Sequence, residues 1–185
     1  MNATDYQHAK YDRYFTLLDT DRSNSIEWSD FCRAADFIRK ENGWDENHPR
    51  YLGLVGALTT FWDELRTRVD TDGNGRVDRK EWSDFHVSLA ADVERLGKVP
   101  AWALNVVHGF HRVLDVDSDG TISVAEYRTW LRSLGAEVDF DAAFQHLDLN
   151  RDGHIDIDET EELFAQWVLS DNPGDPGNWL VTGQN

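Results

Sequence analysis

The sequence predicts an all-α protein of four helix–loop–helix units, arranged in two pairs within one compact domain, with short β-ladders between paired loops. Three observations carry that prediction. A twelve-residue acidic segment recurs four times. Around each copy, apolar residues return at helical spacing. Breaks bearing Gly and Pro fall between the units rather than inside them.

Tyr11, Tyr14, Phe15 and Leu18 precede the first segment, DTDRSNSIEWSD (19–30), on one helical face. A helix over about 30–42 should follow, then the break GWDENHP at 43–49, then a helix over about 50–69. The second segment is DTDGNGRVDRKE (70–81), and its exiting helix should end at GKVP (97–100). The third, DVDSDGTISVAE (115–126), and the fourth, DLNRDGHIDIDE (148–159), begin 33 residues apart, so their connection near 135–140 must be short. This divides the chain into an N-terminal pair (1–96), a C-terminal pair (97–170) and a tail (171–185). With two prolines and three glycines the tail reads as non-helical, with Trp179, Leu180 and Val181 filling an apolar gap between helices.

The segments match D-x-[DN]-x-[DN]-G-x5-E and so resemble the EF-hand loop. Three full matches in one chain exclude acidic turns that arose by chance. The spacing has a physical cause. Ca²⁺ is a hard cation that takes 6–8 oxygens at about 2.3–2.6 Å, and a tight loop brings positions 1, 3 and 5 together. Position 7 contributes its backbone carbonyl, position 9 acts through water, and a Glu at 12 supplies two oxygens. The candidate ligands are therefore Asp70, Asp72, Asn74, Arg76 and Glu81 in loop 2, and Asp115, Asp117, Asp119, Thr121 and Glu126 in loop 3. Loop 4 offers Asp148, Asn150, Asp152, His154 and Glu159. Gly75, Gly120 and Gly153 at position 6 permit the left-handed bend. Ile26, Val77, Ile122 and Ile155 at position 8 suit a β-ladder between paired loops.

Loop 1 departs from the pattern. Its candidates are Asp19, Asp21, Ser23, Ser25 and Asp30, with Asn24 in place of glycine. The pentapeptide EWSDF occurs here at 27–31 and again at 81–85, but loop starts lie 51 residues apart and the pentapeptides 54. Glu81 thus stands at position 12, whereas Glu27 falls at position 9 and Asp30 takes 12. A neutral Ser23 and a shorter Asp30 suit Mg²⁺ better than the other loops do. The chain should hold three to four Ca²⁺, with Mg²⁺ possible in loop 1.

The net charge of −17 then has a location. Sixteen of the 35 acids stand at positions 1, 3, 5, 9 or 12 of the loops, and the other 19 nearly balance the 18 Lys and Arg. Nucleic acid is an unfitting partner for such a surface. Composition is otherwise that of a packed protein, 40% hydrophobic and 12% aromatic. One cysteine, Cys32, excludes a disulfide framework and a Cys-rich zinc site. No apolar run resembles a signal peptide or a membrane span of roughly 20 residues, so the reading is a soluble cytoplasmic protein, expected to be a monomer.

Four loops, the wide spacing between the first two, about 180 residues and abundant aromatics together resemble the sarcoplasmic calcium-binding proteins and their bacterial, calerythrin-like relatives. That resemblance implies one body with a shared aromatic core and a role as Ca²⁺/Mg²⁺ buffer. The family's degenerate loop is often the second; here it is the first.

Three other functions compete with buffering. A Ca²⁺-dependent sensor that exposes an apolar surface to a protein partner is the alternative, but sensor grooves are Met-rich and Met1 is the single methionine. An apolar-ligand carrier, as in related photoproteins and luciferin-binding proteins, would use His108, His111, Trp102 and Trp130. An enzyme is disfavoured, because no HExxH, GxSxG or P-loop motif is present.

Overall fold

A computed structural model describes residues 3–183. Helix α1 (Asp5–Leu18) begins at a capping box, in which Thr4 accepts from the Gln7 amide and the Gln7 side chain accepts from the Thr4 amide. Strand β1 (Ser25–Ile26) and α2 (Trp28–Glu41) complete the first unit. Helix α3 (Pro49–Val69) starts with proline at its first position, where no amide is needed. It leads through β2 (Val77–Asp78) to α4 (Arg79–Leu96), which stops at Gly97 in the left-handed conformation. The second half repeats the plan with α5 (Ala101–Leu114), β3 (Ile122–Ser123), α6 (Val124–Ser133), α7 (Phe140–Leu147), β4 (His154–Ile155) and α8 (Ile157–Leu169). Helix α2 starts two residues before the expected boundary because position 9 of the loop, not position 12, is the helix N-cap.

The strands pair antiparallel within each half. Ile26 faces Val77 and Ile122 faces Ile155, so position 8 meets position 8 in both ladders. Between the halves, α3 packs on α5, α2 on α6, and α4 on α8. Aromatic rings carry these contacts. Phe31 meets Phe61, Phe61 meets Phe110 and Phe110 meets Trp130, at centroid distances of 6.0, 6.2 and 6.0 Å. Tyr14 joins Trp82 and Trp167 at 5.3 and 5.6 Å, edge to face. The core therefore runs continuously through both pairs.

The last turn of α8 leaves carbonyls without helical partners. Side chains of α1 supply donors to three in succession. Tyr11 Oη donates to Val168 O at 2.6 Å, Gln7 Nε2 to Leu169 O at 2.7 Å, and Lys10 Nζ to Ser170 O at 2.6 Å. Positions 7, 10 and 11 share one helical face, which makes this possible. Lys10 is almost fully buried, also donates to Asn178 Oδ1, and is pushed down to about 8 by desolvation.

The tail corrects one expectation. It is not wholly irregular, because Pro176–Trp179 form a 3-10 turn that Pro176 initiates. Gly177 is pressed so closely on α8 that a Cβ there would lie 2.3 Å from Leu163 O. Leu180 and Val181 are buried, while half-buried Trp179 stacks on His146 at 4.3 Å and accepts at its carbonyl from Tyr127 Oη. Residues 184 and 185 lie outside the described part. Among the described residues no helix is long and apolar enough to cross a membrane.

Candidate metal centre

Two sets of hydrogen bonds recur in all four loops. At position 1 the aspartate accepts the amides of positions 5 and 6. Asp70 takes Asn74 and Gly75 at 3.1 and 2.9 Å, Asp115 takes Asp119 and Gly120 at 3.1 and 3.0 Å, and Asp148 takes Asp152 and Gly153 at 3.1 and 2.9 Å. At position 12 the carboxylate accepts the amides of positions 2 and 9. Glu81 binds Thr71 and Asp78, Glu126 binds Val116 and Ser123, and Glu159 binds Leu149 and Asp156, all at 2.8–3.1 Å.

Loop 1 follows the same scheme. Asp19 accepts from Ser23 and Asn24 at 2.8 and 2.9 Å, and Asp30 from Thr20 and Glu27 at 3.0 and 2.8 Å. Asp30 therefore occupies the place of the position-12 glutamates, and Glu27 that of Asp78. The two EWSDF copies hold different stations in their loops.

Backbone conformation explains part of this uniformity. Position 6 is left-handed throughout, with Asn24 at φ +65° where the others have glycine. Position 4 is left-handed as well: Arg22, Gly73, Ser118 and Arg151. Sequence reasoning missed position 4, because three different residue types hide the requirement. It also missed that positions 9 and 12 form a capping box. Asp78, Ser123 and Asp156 each accept the amide of the glutamate three residues on. The acid or hydroxyl at 9 starts the exiting helix besides facing the loop.

Carboxylates converge in three loops. Asp19, Asp21 and Asp30 offer oxygens within 4.8 Å of one another, as do Asp70, Asp72 and Glu81, and Asp115, Asp117 and Glu126. Loop 4 has Asn150 at position 3, so its donors are Asp148, Asp152 and Glu159 with an amide oxygen. At position 5, Asn74 Oδ1 accepts the Arg76 amide, Asp152 Oδ1 that of His154, and Asp119 Oδ1 both the amide and the hydroxyl of Thr121. The Thr121 bonds hold the Asp119 carboxyl below its ordinary value. Ser23 donates its hydroxyl to Ser25 O at 3.0 Å. Position-7 side chains turn across the ladders: Thr121 Oγ1 meets His154 Nδ1 at 3.3 Å, and Arg76 approaches Glu27 at 3.8 Å. These oxygen-only, carboxylate-rich sets fit a hard divalent cation.

The histidines proposed for a ligand cavity lie elsewhere. His108 pairs with Glu161, and buried His111 bonds Thr160 Oγ1 at 2.9 Å and Gly120 O at 3.2 Å, bridging loop 3 to α8. Trp130 packs on Phe110. An apolar cavity of about 40 Å³ does lie in the core, lined by Trp102 of the expected group but otherwise by Trp82, His86, Trp167 and the tail's Leu180. Neither His108 nor His111 lines it.

Comparison with known proteins places this geometry in a class. The EF hand family model matches residues 67–86, 112–131 and 140–165, and the EF-hand domain pair model matches 9–36. Together they cover about half of the chain, and the chain belongs to the EF-hand calcium-binding proteins. Along nearly its whole length it is similar to sarcoplasmic calcium-binding proteins I, III and IV of Branchiostoma lanceolatum, at 22% identity over 96% of each chain. Calerythrin of Saccharopolyspora erythraea is 25% identical over 85% of this chain and 86% of that protein. Two solved structures are similar as well. A Streptomyces coelicolor calcium-binding protein, solved as a basis for prokaryotic calcium-mediated regulation, has TM-score 0.65 and 28% identity over 88% of this chain and 97% of that one. The coelenterazine-binding protein of Renilla muelleri has TM-score 0.78 and 18% identity over 99% and 100%, a likeness of fold alone.

Proposed function

We propose that this protein is a cytoplasmic Ca²⁺/Mg²⁺ buffer that binds three to four ions as a monomer and has no catalytic activity. One observation carries the reading. In every loop the position-12 carboxylate lies folded over the loop, bonded to the amides of positions 2 and 9. The ligands of each loop are thus gathered while the apolar face of the exiting helix stays packed on the core, an arrangement that involves no outward swing of a helix. A sensor works by that swing, which uncovers an apolar groove. Here the tryptophans 82, 130 and 167 are fully buried, and the exposed large apolar residues among those described are Leu52 and Leu96.

The ligands we assign are the carboxylates and amide oxygens at positions 1, 3, 5 and 12, Ser23 among them, and the carbonyls of Ser25, Arg76, Thr121 and His154. An unpaired, exposed Cys32 fits a reducing compartment. The carboxylates that might perform acid–base chemistry are the same ones the loops require for metal, which supports a binding rather than a catalytic role.

The test is fluorescence of a hydrophobic dye with the metal-free, Mg²⁺-loaded and Ca²⁺-loaded protein. Buffering requires dye binding confined to the metal-free form. A rise specific to Ca²⁺ would instead establish the alternative, a sensor that presents an apolar surface to a protein partner, as the regulatory context of the Streptomyces neighbour suggests.

A further inference from the structure

Loop 1 carries a cation of its own. Arg33 lies on α2, three residues beyond position 12, and its guanidinium turns back over the loop. Nη2 meets Asp21 Oδ2 at 2.6 Å and Asp30 Oδ1 at 2.9 Å, while Nε donates to Thr20 Oγ1 at 3.0 Å. The Thr20 hydroxyl in turn donates to Asp30 Oδ1 at 2.9 Å. The guanidinium thus spans positions 3 and 12, two of the three convergent carboxylates of this loop.

The other loops have no counterpart. The residue at the same station is Asp84 after loop 2, Thr129 after loop 3 and Glu162 after loop 4. Each is engaged along its own helix: Asp84 with Lys80, Thr129 with the Ala125 carbonyl, and Glu162 with Gln166. Among the described residues, only loop 1 of the four has an Arg or Lys side chain paired with its own position-3 and position-12 carboxylates, and it is also the loop with the neutral Ser23 and the short Asp30 at positions 5 and 12.

Resting on the reading of the loops as divalent-ion sites, we propose that Arg33 is a tethered counter-ion that sets the affinity of loop 1 below that of the other three. A divalent ion entering loop 1 must take Asp21 and Asp30 from charge-assisted pairs with Arg33, of which the one to buried Asp30 is the less open to water. The guanidinium costs the chain little entropy to deliver, because the helix presents it one turn from Asp30. The ion replaces it, and Arg33 swings into solvent, where nearly half of its side chain already lies. Loop 1 therefore fills last.

The experiment titrates the metal-free wild type and Arg33→Gln with Ca²⁺, following the amide resonances of position 6. Asn24 reports loop 1, and Gly75, Gly120 and Gly153 report the others, since each of these amides bonds to its own position-1 aspartate. In the wild type the Asn24 signal should shift last, together with the Arg33 Nε–H signal. In Arg33→Gln the Asn24 midpoint should fall about tenfold, about 1.4 kcal/mol, with the glycine midpoints unchanged. The converse variant, Asp84→Arg, places a guanidinium at the same station of loop 2 and should raise the Gly75 midpoint about tenfold. An Asn24 midpoint unmoved or raised in Arg33→Gln, with Gly75 indifferent to Asp84→Arg, would overturn the proposal alone. If no position-6 amide responds to Ca²⁺ in any of the proteins, the reading of the loops falls, and this inference with it.

Discussion

Lys10 Nζ lies 2.6 Å from the carbonyl oxygen of Ser170, joining residues 160 positions apart in the chain. The contact is buried, and its neighbours Gln7 and Tyr11 make the equivalent bonds to Leu169 and Val168. Replacing Lys10 by Met keeps the aliphatic stem and removes the donor. Ser170 O and Asn178 Oδ1 are then left in a dry site, at a cost of roughly 1–3 kcal/mol for an unsatisfied buried group. Urea unfolding of Lys10→Met should show a lower midpoint at an unchanged m-value.

Burial pushes the His86 imidazole down to about 4. It sits among Tyr11, Trp82 and Trp167, and its Nδ1–H donates to Trp82 O at 2.8 Å. Between pH 6.5 and 4 the unfolded chain gains a proton that the folded chain refuses, so stability falls as the pH falls through that window. The full effect is about 3 kcal/mol. In His86→Asn this component is absent, so the stability difference between wild type and variant should shrink by roughly that amount from pH 7 to pH 4.

The register of the two EWSDF copies is open to a paired substitution. Glu81→Gln removes charge at position 12 and should severely weaken loop 2, by at least about tenfold. Glu27→Gln stands at position 9 and should change loop 1 only mildly. Calorimetry in which Glu27→Gln abolished a site and Asp30→Asn left it intact would reverse the assignment of loop 1.

Gly177 offers a check on the docked tail. A Cβ at this position meets Leu163 O, the Gln166 side chain and the Trp167 amide at 2.3–2.8 Å, two of them backbone atoms of α8. Gly177→Ala should destabilise the protein by about 1–3 kcal/mol, as overpacking does, and lower the thermal midpoint by several degrees.

Chelation should act on the whole fold. Sixteen acids crowd four loops, and an ion bound only by the folded chain stabilises it by about 2.7 kcal/mol per site at a hundredfold excess over its Kd. Adding a chelator should lower the melting temperature, and Ca²⁺ should restore it. An unchanged melting curve would count against metal-coupled stability.

Much of this was legible because the loop chemistry is local. Twelve residues specify where Asp70 and Glu81 stand, and the three-residue offset placed Glu27 at position 9 without any knowledge of the tertiary structure. What stayed hidden depends on other segments or on backbone angles. The left-handed position 4 is shared by arginine, serine and glycine, so no letter marks it. Arg33 reads as an ordinary surface residue of α2 until the loop is folded against it. His86, rather than His108 or His111, faces the core cavity because the burial of α4 is decided by α1 and α8, far away in sequence. The 3-10 turn of the tail was missed because, although Pro176 starts it, the close packing of Gly177 on α8 supports it.

The bonds between α1 and the end of α8 have a consequence for how the molecule comes into being. Helix α1 would leave a ribosome carrying three donors whose acceptors follow about 160 residues later. Until then Lys10 has no dry place to go, and the aromatic face of α1 waits for Trp167. Such distant closure is slow, because loop entropy is lost before the contact repays it. The acidic loops would thus be made before α1 and the end of α8 meet, and ions captured early would hold those loops in shape until that contact closes.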